Sequence, residues 1–383
     1  MNVITTNVDS DTLSAEKDVR IDSKETSTPA KALQVGKLQA SEQVSDLARG
    51  VAEIYIKADG TALENSRTGW DNLRENLKRQ AKRADDDEVV VPFVQYDDAE
   101  KLTEANAAEI AKLETTYGDI VSVPLMTSLV NEADDGDGLS NETVATIVEN
   151  AQTFLKAVGK LDIQKPVMGV IPPVSKECTK ALLELYVDHD LPAYCVDFNR
   201  RSPMARTQLD FIDKPLMETL ETYGMRESSL LYAVNADESR RVTENHETPG
   251  ALYAYTLGFD IVGDVHLPPR LPPEVFEDME ETTDLRLFNA DTLSVVEVPL
   301  RDLDSFLPDE AEIPVGRVRQ RVNSNADERF RFEKLINAEL IALYLDAGGG
   351  VDAQEIFTAL RGGSAMQDSD LERVREVASD VTP

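Results

Sequence analysis

From about residue 50 to residue 290 the chain alternates short apolar runs with longer stretches of helical periodicity. The runs lie at 51–56 (VAEIYI), 89–95 (VVVPFVQ), 120–126 (IVSVPLM), 167–171 (VMGVI), 192–198 (PAYCVDF), 230–235 (LLYAVN), 259–265 (FDIVGDV) and 285–289 (LRLFN). The second to fourth are almost unbroken by polar residues, as expected of strands covered on both faces in a parallel sheet. Amphipathic stretches at 66–84, 98–117, 141–158, 176–189, 216–223 and 248–257 separate them. Two carry helix-start chemistry: Ser140 precedes NETVATIVENAQTFLKAV, and Ser175 precedes KECTKALLELYV. Each hydroxyl can accept from an N–H of the first turn. A strand–helix repeat of roughly 30–40 residues is the signature of βα units. Eight such strands predict an α/β fold of the (β/α)8 TIM-barrel type over residues 28–300. A doubly wound open sheet is the competing arrangement, but no GxGxxG or GxxxxGK[ST] follows an early strand, which counts against its dinucleotide and P-loop versions.

The flanks read differently. Residues 1–27 are polar, with neither a basic flank nor an apolar core for a secretory signal, and are expected to be a flexible tail. The acidic stretch 134–138 (DDGDG) lacks the spacing and terminal Glu of a calcium loop and reads as a solvated loop. Residues 302–312 form an acidic, Pro-containing link. A strong helix at 328–346 follows, then a glycine stop at 348–350 and shorter helices at 353–361 and 368–378. Residues 301–383 are thus a linker and a C-terminal helical extension, packed on the barrel or offered to a protein partner or a second copy.

Charge changes the picture of the host. Seventy-two acidic against 39 basic residues give a formal charge of −33. The acids are spread over every segment, with few lysines and many Asp, Thr and Val, which fits a halophilic, salt-adapted protein better than one acidic binding patch. No apolar run approaches a membrane span. Cys178 and Cys195 form neither a CxxC pair nor a disulfide framework, which suits a reducing, cytoplasmic location. With His189, His246 and His266 scattered, a Cys/His zinc site is excluded. No cofactor is implied, and metal binding by aspartates alone stays open.

Polar residues at the C-terminal ends of barrel strands point into the usual active-site mouth. Four ends qualify. They carry Gln95, Asp97 and Asp98; Asp197, Asn199, Arg200 and Arg201; Asn235, Asp237 and Glu238; and Asp264 and His266. Any one of these can instead cap a helix or pair with a neighbouring arginine. Their recurrence at four ends favours a site. A carboxylate there can act as nucleophile, general base or metal ligand. Paired carboxylates, such as Asp264 with Asp197 or Asp97, are the standard device of glycosyl transfer.

The stretch 248–270, TPGALYAYTLGFDIVGDVHLPPR, resembles the tRNA-guanine transglycosylase family, which has G-[VIF]-D-x-F-D-C-x-x-P-T-R at this point of its barrel. Gly258, Asp260, Asp264, Pro268 and Arg270 fall in the same order, with one extra residue between the two acids. Thr28-Pro29-Ala30 with Val35-Gly36 is similar to the family's opening TPxxxPVG strand, 118–126 (GDIVSVPLM) to its SDIVMxxDE strand, and 165–173 (KPVMGVIPP) sits at its GIxQG strand. The resemblance implies a covalent nucleophile at Asp264, proton handling by Asp197 or Asp97, and phosphate contacts from Arg200, Arg201 and Arg270. Asn235, Asn199 and His266 would line the substrate. The family's base-reading Asp is replaced near Leu125, its Gln near Ile171 or Pro172, and its Gly-Gly pair at Phe198 or Asn199. Its CxCxxC zinc motif is absent, because no Cys or His follows His266. Asp71 and Asp97 are possible counterparts of its second catalytic Asp.

The implied activity is base exchange at a nucleobase–ribose bond in tRNA or DNA. Arg317, Arg319, Arg321, Arg329 and Arg331 would extend a nucleic-acid track or form a salt-bridged segment. The alternatives are an inactive barrel serving as an accessory subunit and an unrelated barrel lyase or hydrolase using Asp197 and Asp264. Salt adaptation makes a direct prediction: far-UV circular dichroism and Trp70 fluorescence will report a folded chain in molar KCl and its loss at low ionic strength, where self-repulsion is unscreened.

Overall fold

Side chains that alternate between more and less exposed mark the first residues of the chain as strands, β1 (Asn2–Val8), β2 (Ala15–Ile21) and β3 (Lys24–Ser27). The computed structural model describes residues 1–346 except 10–11, 65–67, 136–140, 173, 238, 241–246, 269–282 and 326, and beyond them only isolated positions. The segment whose composition predicts a flexible tail is therefore an antiparallel meander in the order β1-β2-β3. In β2 (AEKDVRI) Lys17, Val19 and Ile21 are buried while Asp18 and Arg20 face out. That period of two is the signal of a half-buried strand, masked in a composition dominated by polar residues.

Lys17 shows why this strand stays put. Its ammonium lies 2.9 Å from Asp260 Oδ2 and donates to the carbonyls of Arg226 (3.1 Å) and Ser229 (2.8 Å), with both charged side chains almost fully buried. The Asp260 carboxylate also accepts the Leu231 N–H at 2.6 Å. Burial pushes the Asp260 carboxyl up, and Lys17 works against that push. The meander thus caps the N-terminal ends of the parallel strands that follow.

Those strands are β4 (Ala30–Lys31), β5 (Leu33–Gln34), β6 (Val51–Ala58), β7 (Val89–Tyr96), β8 (Val121–Ser122), β9 (Val167–Ile171), β10 (Ala193–Asp197), β11 (Leu230–Val234) and β14 (Ile261–Val262). One six-stranded sheet runs β4-β14-β11-β10-β9-β8 and is parallel throughout. A second, three-stranded sheet runs β5-β6-β7, also parallel. The two sheets touch twice. Residues 30–34 pair with β14 through Ala30 and Lys31 and with β6 through Leu33 and Gln34. Beyond β8, Leu125 bridges Gln95 of β7, donating to the Val94 carbonyl at 3.0 Å and accepting the Tyr96 N–H at 2.9 Å. The apolar runs are legible here: every residue of β7, β10 and β11 is buried, as strands need when helices cover them.

Two elements depart from the sequence pattern. Residues 285–289, which resemble an eighth barrel strand, form β15 (Leu285–Asn289). It pairs antiparallel with β16 (Ser294–Val298), from Leu285 opposite Val298 to Asn289 opposite Ser294. Short strands β12 (Ser239–Arg240) and β13 (Glu247–Thr248) complete this antiparallel sheet. The place beside β14 belongs instead to residues 30–31, whose short mixed sequence gives little apolar signal.

The second departure is the C-terminal extension. The helix Asp327–Asp346 packs on β4, β5 and β15, burying Phe332, Leu335, Ile336 and Glu339. Between β5 and β6 the chain has only two 3-10 turns, so no local helix covers strand 30–34. The terminal helix supplies that cover, which makes it part of the core rather than an appendage. Polar anchors fix it: Glu339 Oε1 accepts the N–H groups of Ser45 (2.6 Å) and Glu312 (2.7 Å). The predicted helices at 353–361 and 368–378 lie outside the described residues, isolated positions aside. Among the described residues no helix is long and apolar enough to cross a membrane.

Replacing Lys17 by Met will strand a buried carboxyl and cost about 3–5 kcal/mol in urea unfolding at constant salt. The double variant Lys17→Met/Asp260→Asn will be less destabilised than the single one, the signature of a coupled pair.

Candidate active site

Strands β10 and β11 end in tight left-handed turns. After Asp197 the chain passes through Asn199 (φ 46°) and Arg200 (φ 61°), and after Val234 through Asn235 (φ 56°). Asn tolerates this region, whereas a long side chain such as Arg pays for it, and such backbone strain concentrates at functional sites. The turns aim donors at Asp197. Its Oδ1 accepts the Asn199 N–H at 2.9 Å and the Asn235 side-chain amide at 2.7 Å.

All of Asn235 is committed to this arrangement. Its Oδ1 accepts the His266 N–H at 2.7 Å, its own N–H donates to the Asp264 carbonyl at 3.1 Å, and its carbonyl accepts the Arg200 N–H at 2.9 Å. Asp197 Oδ2, in contrast, is buried with no hydrogen-bond partner among the described residues. Burial pushes the Asp197 carboxyl up, although Asn235, the Asn199 N–H, His266 and Arg201 favour its ionised form. An aspartate so placed holds a proton more readily than usual and can give it away.

A second buried carboxylate stands opposite, in the middle of β6. Glu53 Oε1 accepts the Tyr232 hydroxyl, and its Oε2 accepts the Asp264 N–H at 2.8 Å. His266 Nε2 lies 3.3 Å from Glu53 Oε2, both side chains fully buried. Neither ring nitrogen of His266 makes a hydrogen bond of good geometry among the described residues. The imidazole stacks flat on Tyr55, with ring centroids 4.3 Å apart and an interplanar angle of 4°. Tyr55 donates to Gln95, and Gln95 donates to Asp97 Oδ1 at 2.9 Å. Asp97 lies at the exposed end of this chain, bonded by Ser128 at 3.1 Å.

Asp97, Gln95, Asp197, Asn235 and His266 therefore do converge, on one network linking the interior of β6 with the ends of β7, β10, β11 and β14. Asn199 joins it through its N–H, and its side-chain amide reaches Asn131 at 3.4 Å. Glu53, Tyr55 and Tyr232 belong to it but escape a search confined to strand ends. The signal that would find Glu53 and Tyr55 is an acid and a tyrosine two residues apart inside a mostly apolar strand, VAEIYIKA.

Asp264 does not join the network by its side chain. A strand alternates faces, so one extra residue between Asp260 and Asp264 reverses the facing that the transglycosylase motif requires. Gly263 takes the inward position, where any Cβ would collide with the Glu53 carboxylate and the Tyr232 ring. Asp264 turns to the terminal helix and meets Lys334 at 3.3 Å. Burial alone would raise its carboxyl, but the charges of Lys334 and Lys31, with His266 behind them, outweigh burial and hold it down at about 2.

The arginines are committed as well. Arg200 bonds Asp237 at 3.2 Å and the Leu267 carbonyl at 2.7 Å, and Arg201 is half-buried near Asp197. Arg270 and Glu238 lie outside the described residues. Asp98 accepts the Gly60 N–H at 2.6 Å, and Asp71 sits exposed on a helix 3.6 Å from Arg74, so neither reaches the network. Of the C-terminal arginines, Arg317 and Arg331 both bind Glu42, Arg319 binds Asp304, Arg321 binds Gln39, and buried Arg329 lies 3.6 Å from Glu333. They form a salt-bridged segment holding the terminal helix, which leaves no continuous basic track of these arginines among the described residues. Among the described residues no three His, Cys, Asp or Glu side chains gather as a metal would require.

No family model matches this sequence, and no curated protein matches it.

The Asp264 environment predicts a pH effect. Its folded pKa lies below the unfolded value of about 3.9, so the pairing stabilises the protein above that value and is lost as pH falls from about 5 toward 2. The contribution at neutral pH is on the order of 2 kcal/mol. Asp264→Asn will lose about this much at pH 7 and will show a flatter stability profile than the wild type between pH 5 and 2.

Proposed function

We propose that the eight parallel segments form one closed (β/α)8 barrel whose mouth is the active centre of an enzyme that breaks a glycosidic bond. The family resemblance points to the bond between a nucleobase and its ribose in RNA or DNA as the substrate. Closure is supported by the pairing at both sheet junctions, residues 30–34 with β14 and β6 on one side and Leu125 with Gln95 on the other. Barrel enzymes work at the C-terminal ends of their strands, where this polar network lies.

The observation that carries the chemical reading is Asp197: a buried carboxyl with one oxygen held by two donors and the other without a hydrogen-bond partner among the described residues, near a histidine whose Nε2 faces Glu53 at 3.3 Å. Asp197 is the acid. As the C1′–N bond breaks, its electron pair leaves with the base, which takes the Asp197 proton. Water forms the new C1′–O bond and gives its proton to His266, backed by the Glu53 carboxylate 3.3 Å away. In base exchange a second base attacks in place of water. Asn235 holds both catalytic groups in position. The covalent route through Asp264 is the weaker version, because that carboxylate is turned to Lys334.

The test is release or exchange of free base from RNA and DNA oligonucleotides and nucleosides in molar KCl, read by mass spectrometry. Activity in the wild type that falls by about 10²-fold or more in Asp197→Asn and His266→Gln, but persists in Asp264→Asn, is the expected result. Absence of base release from every substrate, or loss in Asp264→Asn alone, overturns the reading.

A further inference from the structure

The N-terminal meander leaves one strand edge open. β1 (NVITTNV) is hydrogen-bonded to β2 alone, and among the described residues no other backbone group pairs with residues 2–8. Its inner side is fixed. Met1 and Val3 pack on the core, and the Thr5 hydroxyl donates to the Glu227 carbonyl at 2.7 Å. The outer side carries Ile4, 53% exposed, and past a break in register between Thr5 and Asn7 comes Val8, 40% exposed. These are two of the five large apolar side chains exposed among the described residues.

A free edge presents a row of unpaired N–H and C=O groups, which proteins guard with charges, proline, bulges or a covering element. The two antiparallel sheets end in four strands, β1, β3, β12 and β15. Three of them are guarded: β3 carries Lys24 and Glu25, β12 carries Arg240, and β15 carries Arg286 and lies under the terminal helix. β1 has no charged residue and no proline, in a chain where 29% of residues are charged. Its one guard is the break after Thr5, which leaves Asn2–Thr5 as a regular ladder against Lys17–Arg20.

We propose that this edge pairs with the β1 edge of a second copy of the chain, antiparallel and across a two-fold axis. The two meanders then join in one six-stranded sheet. A two-fold sets the edge against itself, and the donors and acceptors of an antiparallel edge are self-complementary in that arrangement.

Charge selects a second copy over another partner. A basic partner would be drawn to the acids spread over the rest of the chain and would gain nothing from a neutral strand. Two chains of net charge −33 repel, and β1 is the edge at which they meet with no like charges across the seam. Because the strand is already held on its inner side, pairing costs little further ordering. The meander caps the N-terminal ends of the parallel strands, so the pair leaves both mouths open and does not rest on their being catalytic.

Sedimentation equilibrium of the full chain tests this, at a KCl concentration that preserves the fold and from about 1 μM to 1 mM protein, the span of a weak association. The mass is expected to rise toward that of two chains, while hydrogen exchange at the amides of Asn2–Thr5 slows with concentration. Ile4→Glu places a carboxylate from each copy at the seam and is expected to raise the dissociation constant at least tenfold. Ile4 is half-exposed, so this variant keeps its fold, which circular dichroism checks. Leu161→Glu, the same kind of change at an exposed residue outside the meander, is expected to leave the association as it is. A monomer throughout, β1 amides that exchange independently of concentration, a dimer unchanged in folded Ile4→Glu, or equal weakening in Leu161→Glu overturns the proposal.

Discussion

A carboxylate taken out of water has to be met by donors or positive charge, and around Glu53 that requirement organises the molecule. Its two oxygens are met by the Tyr232 hydroxyl from β11 and by the Asp264 N–H beyond β14, while His266 stands 3.3 Å away. The carboxylate occupies the space in front of residue 263, so only glycine fits there. Because strand residues alternate, placing Gly263 inward turns Asp264 outward, where Lys334 of the terminal helix and Lys31 receive it. One buried acid thus explains a glycine, the orientation of a second acid and the docking of the last helix.

The same rule recurs at the other end of the strands. Lys17 joins Asp260 in a buried ion pair, tying the N-terminal meander beneath the parallel strands. Acid–base pairs also hold the C-terminal helices, where buried Glu42 takes both Arg317 and Arg331. A protein with so large an acidic excess uses its scarce cations to bind its own segments together.

Much of the fold was legible because strands covered on both faces must be apolar throughout. VVVPFV and the runs that follow it announce a parallel sheet whatever the connections. Segments stabilised by few or mixed residues were hidden: AKALQ at 30–34 is short and carries a lysine and a glutamine, while LRLFN looks like a core strand until SVVEV is recognised as its hairpin partner. The meander was masked by charge, although the alternation in AEKDVRI was present to be read. Of the candidate site, Asp197, Asn235 and His266 were readable because strand ends expose polar groups. Glu53 and Tyr232 were not, since they lie within strands. The facing of Asp264 hinged on one residue of spacing, which motif order alone does not convey.

The account depends most on Asp197 being a buried acid held ready to give a proton. Infrared difference spectroscopy between the wild type and Asp197→Asn isolates the carbonyl band of that one protonated carboxyl through an acid titration. The band is predicted to persist above the ordinary aspartate value of about 3.9, which is that of a solvated side chain. A band that vanishes at or below that value would contradict the account.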